Sequence, residues 1–106
     1  MKEFCVVFVA CSSLEEGNKI ASSLVEKKLA ACANLIPEVQ STFFWDKKLS
    51  KEKEALLIAK TRKELFDALA KEVKRIHSYD LPEIIALPIE AGSKEYLEWI
   101  EQETKK

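Results

Sequence analysis

Phe4-Cys5-Val6-Val7-Phe8-Val9-Ala10-Cys11-Ser12-Ser13-Leu14-Glu15-Glu16 is the stretch on which the fold turns. Residues 3–11 are nearly all apolar and rich in Val and Phe, the pattern of a strand buried on both faces. Ser12 and Ser13 are each followed three residues later by a glutamate, a doubled capping-box signature. Ile20, Ala21, Leu24, Val25 and Leu29 then recur at helical spacing. A strand feeds straight into a helix, which is predicted to end near Ala30 or Ala31.

Working outward, residues 32–45 return to strand composition, with Pro37 partway. Proline cannot donate a ladder hydrogen bond, so this second strand belongs at a sheet edge or carries a bulge. Asp46-Lys47-Lys48 reads as a hairpin turn, and a third strand runs from about Lys51 to Lys60 around Ala55-Leu56-Leu57-Ile58-Ala59. Thr61-Arg62-Lys63-Glu64 carries the Thr-x-x-Glu capping signature, and Leu65, Phe66, Leu69, Val73 and Ile76 form one apolar stripe behind it. Pro82 closes the loop His77-Ser78-Tyr79-Asp80-Leu81, and a fourth strand is predicted over residues 83–89. Gly92 and Ser93 open a short third helix that turns Tyr96, Leu97 and Ile100 inward.

The order β-α-β-β-α-β plus a terminal helix defines an α+β, ferredoxin-like split β-α-β arrangement, expected as one domain over residues 1–106. Right-handed crossovers put the first and third strands at the sheet centre and the other two at its edges. Residues 5–10 and 55–59 are apolar at consecutive positions, whereas a two-layer fold should alternate. Side chains of both parities therefore need cover. The terminal helix is a small lid, so a second copy of the chain is expected over the open face.

Composition narrows the partners. Seventeen Lys and Arg against eighteen Asp and Glu, with the signs interleaved, leave a formal net charge of -1, so neither nucleic acid nor an anionic membrane is an expected partner. The apolar run at the N-terminus is too short for a lipoprotein leader and follows Glu3. Cys5, Cys11 and Cys32 are odd in number and lack a Cys-x-x-Cys pair, which argues against a disulfide framework or a closed zinc site and for reduced thiols in the cytoplasm.

Strand directions in this topology bring Cys11, the hairpin at Trp45 and the loop from His77 to Asp80 to one edge of the sheet, and send Cys32 to the other. A thiolate and an imidazole suit Cu(I), Cu(II) or Zn(II), with Asp80, water or a neighbouring subunit as a further ligand. The plainer reading makes Cys11 a small buried hydrophobe and His77 a cationic cap on the helix C-terminus. Cys5 and Cys32 read as packing residues. Phe43, Phe44 and Trp45 at the hairpin tip read as an oligomer interface anchor, with a ligand platform as the alternative. His77, Tyr79, Asp80 and Glu83 could serve a small hydrolase, but no nucleophile with an adjacent base is visible.

From end to end the chain resembles the CutA family. The matching segments are Leu24-Val25-Glu26 with Leu29-Ala30-Ala31-Cys32-Ala33-Asn34, Phe44-Trp45-Asp46, Lys60-Thr61, His77-Ser78-Tyr79-Asp80-Leu81-Pro82-Glu83-Ile84 and Tyr96-Leu97-Glu98-Trp99. Phe44 stands where Trp or Tyr is common. Ser78 replaces the usual Pro, an exchange expected to loosen the loop that carries His77. The resemblance implies a homotrimer, a role in tolerance of copper and other divalent cations, no established enzymatic activity, no organic cofactor, and copper held at the positions of Cys11 and His77. A trimeric signalling scaffold of the PII type, binding a small ligand between subunits, is the alternative; it lacks support from any phosphate-cradling glycine loop.

Overall fold

Residues 3–105 are described by the computed structural model, and Met1, Lys2 and Lys106 of the expected domain lie outside them. The expected order is observed: β1 (Phe4–Cys11), α1 (Leu14–Glu26), β2 (Cys32–Trp45), β3 (Lys48–Arg62), α2 (Phe66–Ile76), β4 (Ile84–Pro88) and α3 (Lys94–Gln102). The sheet order is β2-β3-β1-β4, antiparallel at every pairing, with β1 and β3 central. No helix among the described residues is long and apolar enough to cross a membrane.

Register determines which side chains share a face. Cys5, Val7, Val9 and Cys11 of β1 pair with Thr61, Ala59, Leu57 and Ala55 of β3, and all eight are buried. On that face they meet Ile20 and Leu24 of α1 and Leu69 and Val73 of α2. The opposite parity forms the second face, where Phe8 lies between Ile58 and Ile85, and Val6 beside Leu87. Ile85 and Leu87 remain 53% and 54% exposed, so half of this apolar face is open to water. α3 packs beside β3, and just past its end Arg62 Nε donates to Thr104 Oγ1 at 2.9 Å, both residues being buried.

Pro37 acts as anticipated: Ile36 pairs with Leu56 but Val39 pairs with Glu54, so β2 carries one extra residue and bulges. Beyond the bulge the two strands continue as a free arm from Val39 opposite Glu54 to Trp45 opposite Lys48. Six residue steps at about 3.3 Å carry the tip about 20 Å past the sheet, which gives the molecule its 44 Å long axis against 25 and 22 Å across. The turn is shorter than the sequence suggests. Lys48 is already paired, and Asp46 and Lys47 close the hairpin alone with φ of 51° and 63°, the twist that a two-residue loop requires.

Two helix boundaries differ from the sequence reading. α1 stops at Glu26 because Lys28 enters the left-handed region at φ 59°, after which Leu29 and Ala30 turn back into the core. Thr61 does not cap α2. It is a strand residue whose hydroxyl donates to Leu29 O at 2.6 Å, and a 3-10 turn at Lys63–Leu65 leads into the helix instead. Tertiary burial of the Thr61 hydroxyl between β3 and the α1–β2 connection outcompetes the local cap. Tyr96, expected to point inward, is 45% exposed, while Ile100 is fully buried.

Candidate metal centre

The end of β1, the first turn of α1 and the loop after α2 converge on one polar cluster. Cys11 is the last residue of β1 and fully buried; its thiol donates to Val9 O at 3.8 Å. Burial pushes the thiol up to about 12, with the charges of Glu16 and Glu54 adding to it. Of the two possible capping pairs the fold uses Ser13 and Glu16. Ser13 Oγ accepts from Glu16 N at 3.1 Å, and Glu16 Oε1 accepts from Ser12 N at 3.0 Å. That back-reach turns the carboxylate toward the strand end that holds Cys11. Gly17 allows the close approach, since a Cβ there would lie 2.7 Å from Leu35 Cδ2 and 3.7 Å from Cys11 Sγ.

His77 is the C-cap residue of α2, its backbone N–H bonded to Val73 O. Its ring is buried and held at both nitrogens. Nε2 lies 2.7 Å from Ala10 O, and Nδ1 accepts from Tyr79 N at 3.1 Å. A carbonyl can only accept and an amide N–H can only donate, so the geometry assigns the Nε2–H tautomer with the lone pair on Nδ1. This replaces the picture of His77 as a simple cationic helix cap. Glu16 Oε1 stands 3.6 Å from Nδ1. Tyr79 packs its ring 4.7 Å from the imidazole and donates its hydroxyl to Glu54 Oε2 at 2.9 Å. Burial, and then the Glu54 carboxylate, push that phenol up to about 12.

The loop carrying His77 is pinned rather than loosened by Ser78. Its backbone N–H donates to Glu16 Oε2 at 2.9 Å, a bond that proline could not make, and its hydroxyl reaches Ser12 Oγ at 3.3 Å. Burial pushes the Glu16 carboxyl up, but the hydrogen bonds from Ser12 and Ser78 outweigh it, leaving the group below its usual range.

One ligand atom from each of Cys11, Glu16 and His77 lies within 4.8 Å of the others. Donors bound at about 2.0–2.3 Å to one tetrahedral ion stand roughly 3.5 Å apart, so side-chain shifts of about 1 Å would close the set. Sulfur, carboxylate and imidazole form a donor set that fits Cu(II) or Zn(II), with thiolate favouring Cu(I). The structure thus joins Cys11 to His77 as the sequence suggests. The carboxylate beside them is Glu16; Asp80 is exposed in the loop and outside this group. The Ser13-x-x-Glu16 capping signature was the available signal for Glu16. Phe43, Phe44 and Trp45 lie out on the arm, not at the edge with Cys11, and are 37%, 74% and 56% exposed. Cys32 pairs with Lys60, five residues along β3 from the partner of Cys11, about 17 Å away. All three cysteines are free thiols.

Fold and cluster together define an α+β protein with a four-stranded antiparallel sheet and a Cys–Glu–His cluster at one strand end, its thiol and imidazole buried and its carboxylate partly so. Residues 5–103 match the family described as CutA1 divalent ion tolerance protein, and the chain belongs to that family. It is 46% identical over 100 residues to the chloroplastic protein CutA 1 of Oryza sativa subsp. japonica, covering 94% of this chain and 56% of that protein. It is 47% identical over 96 residues to the divalent-cation tolerance protein CutA of Archaeoglobus fulgidus, covering 91% and 93%. The chain spans a little over half the length of the plant relatives it matches. The crystal structure of CutA1 from Oryza sativa superposes with a TM-score of 0.96 at 44% identity, covering 98% of this chain and 95% of that one. The divalent cation tolerance protein of Thermus thermophilus gives 0.93 at 41%, covering 99% and 100%. The Archaeoglobus and Thermus relatives are named for divalent-cation tolerance.

Proposed function

We propose that this protein contributes to divalent-cation tolerance by binding copper, without catalysis, as a cytoplasmic homotrimer. The observation that carries the reading is the convergence of Cys11 Sγ, a Glu16 oxygen and a His77 nitrogen within 4.8 Å. His77 offers the Nδ1 lone pair once the Tyr79 amide gives it up, Glu16 offers Oε1, and Cys11 offers sulfur after losing its proton. Zinc competes for the same donors, and copper prevails at equal free concentration by the usual divalent order.

Assembly is supported by the half-open apolar sheet face, with Ile85 and Leu87 uncovered, and by the arm that presents Phe44, Trp45 and Leu49 to solvent. Both edges, β2 and β4, carry unpaired backbone groups that a neighbour's arm can extend. Three free thiols suit a reducing compartment.

Calorimetric titration of reduced protein with Cu(II), and with Cu(I) under anaerobic conditions, tests the site. The Cys11→Ser/His77→Ala double variant should lose the binding event, and Glu16→Gln should weaken it. Unchanged affinity and stoichiometry in the double variant would place the site elsewhere. Sedimentation near the mass of one chain at micromolar concentration would refute the trimer.

A further inference from the structure

At the far end of the sheet from Cys11 a second thiol has a different setting. Cys32 opens β2 directly opposite Lys60 of β3, and side chains opposed across an antiparallel pair stand side by side. Lys60 Nζ lies 3.9 Å from Cys32 Sγ and also donates to Asn34 Oδ1; the thiol itself reaches Asn34 Oδ1 at 3.8 Å. The Tyr96 phenol of α3 joins the group, its proton held more tightly through burial and through its charge and hydrogen-bond interactions with Cys32. Cys5 and Cys11 are 3% and 0% exposed, whereas Cys32 is partly open to solvent. The three thiols therefore differ in access, and Cys32 combines that access with an amine beside its sulfur.

We propose that Cys32 and Lys60 form a hydroperoxide-responsive pair, in which oxidation of the thiol is captured by the neighbouring amine as a covalent sulfur–nitrogen link between β2 and β3. Cys32 reacts as the thiolate, its proton having gone to solvent. The sulfur attacks one oxygen of hydrogen peroxide and the O–O bond breaks, giving a sulfenic acid and hydroxide. The hydroxide takes a proton from the Lys60 ammonium, producing water and a free amine next to the oxidised sulfur. The amine nitrogen then displaces the sulfenic hydroxyl, which leaves as a second water with a proton from that nitrogen. Sulfur is oxidised by two electrons, one peroxide is reduced to two waters, and the side chains lose two hydrogens relative to the free thiol and amine. Condensation of a sulfenic acid with a nitrogen is an established branch of thiol oxidation, and a thiol reverses it. Asn34 holds the ammonium close to the sulfur before the reaction.

This pair is independent of the copper reading, and its test uses metal-free protein. The full chain is treated with chelator, then with one equivalent of hydrogen peroxide, and analysed by intact mass and by peptide mapping before and after dithiothreitol. The expected result is a loss of two hydrogens, a joined peptide containing Cys32 and Lys60, and full reversal by the reductant. Lys60→Arg should abolish the link and leave Cys32 as a sulfenic acid trapped by dimedone. Lys60→Gln provides a second variant that retains hydrogen bonding while removing the amine. Oxidation at Cys5 or Cys11 ahead of Cys32, passage of Cys32 to sulfinic acid with Lys60 still free, or no reaction at Cys32 would each overturn the proposal.

Discussion

Ser78 and Glu16 offer the sharpest test of how the loop carrying His77 is held. The backbone of His77 sits at φ -64° and ψ 141°, the extended region that a residue preceding proline prefers. Proline at position 78 therefore meets no objection from His77. What it removes is the N–H that donates to Glu16 Oε2 at 2.9 Å, together with the long, exposed hydroxyl contact to Ser12 Oγ at 3.3 Å, which adds little beside it. A hydrogen bond to a charged group is worth about 1.5–3 kcal/mol; this bond is solvent-exposed, so the lower figure applies. Proline returns about 0.4–1 kcal/mol by restricting the unfolded chain. Ser78→Pro alone should thus cost about 1 kcal/mol. Glu16→Ala should cost about 2 kcal/mol, because it also leaves Ser12 N without its partner. With Glu16 already gone, Ser78→Pro should become neutral or slightly stabilising. The double-mutant cycle should then yield a coupling of about 1.5 kcal/mol. Urea unfolding of all four proteins at one fixed chain concentration reads it, the concentration mattering because assembly contributes to apparent stability. If Ser78→Pro is equally costly with and without Glu16, with a coupling below about 0.5 kcal/mol, the latch does not hold the loop.

Three further outcomes follow from the same geometry. Glu72 joins α1 to α2 by accepting from Ser23, Lys27 and Arg75, and Arg75 first, then Ser23 and Lys27, hold its carboxyl well below the usual range against the opposing effect of burial. Its stabilisation is present above the unfolded carboxyl value of about 4.3 and is lost as pH falls below that toward the depressed folded value; Glu72→Gln should cost about 2 kcal/mol at neutral pH and flatten the acid limb of a thermal-melt series. An unchanged acid limb would contradict the assignment. Because burial, with Glu16 and Glu54, pushes Cys11 up to about 12, copper binding as thiolate should release one proton across the neutral range, raising apparent affinity about tenfold per pH unit; calorimetry in buffers of different ionisation enthalpy counts that proton, and Cys11→Ser should abolish it. Trp45→Asp places a charge at an exposed aromatic on the arm and should shift sedimentation toward smaller species, while an unaltered mass would remove Trp45 from the interface.

Hydrophobic periodicity carried most of the architecture. Continuous apolar runs marked β1 and β3 as central strands, Pro37 marked β2 as an edge with a bulge, and strand direction alone put Cys11 near His77 and Cys32 far from both. Those readings succeed because side-chain alternation and chain connectivity are local or topological properties. Register and the aim of individual polar side chains are not. Only the paired strands show that Trp45 stands six residues beyond the level of Val39 and Glu54, so the aromatic tip leaves the edge it was expected to share with Cys11. Thr61 and Glu16 both sit in capping signatures, yet one hydroxyl is taken by Leu29 O across the fold and the other signature closes as written. The choice of Glu16 over Asp80 as the carboxylate beside Cys11 and His77, and the pinning of Ser78, arise from contacts spanning about sixty residues of chain. The sequence by itself determined the elements, their order and the pairing of thiol with imidazole; tertiary packing decided which carboxylate joins them, because that depends on long-range distances that periodicity does not encode.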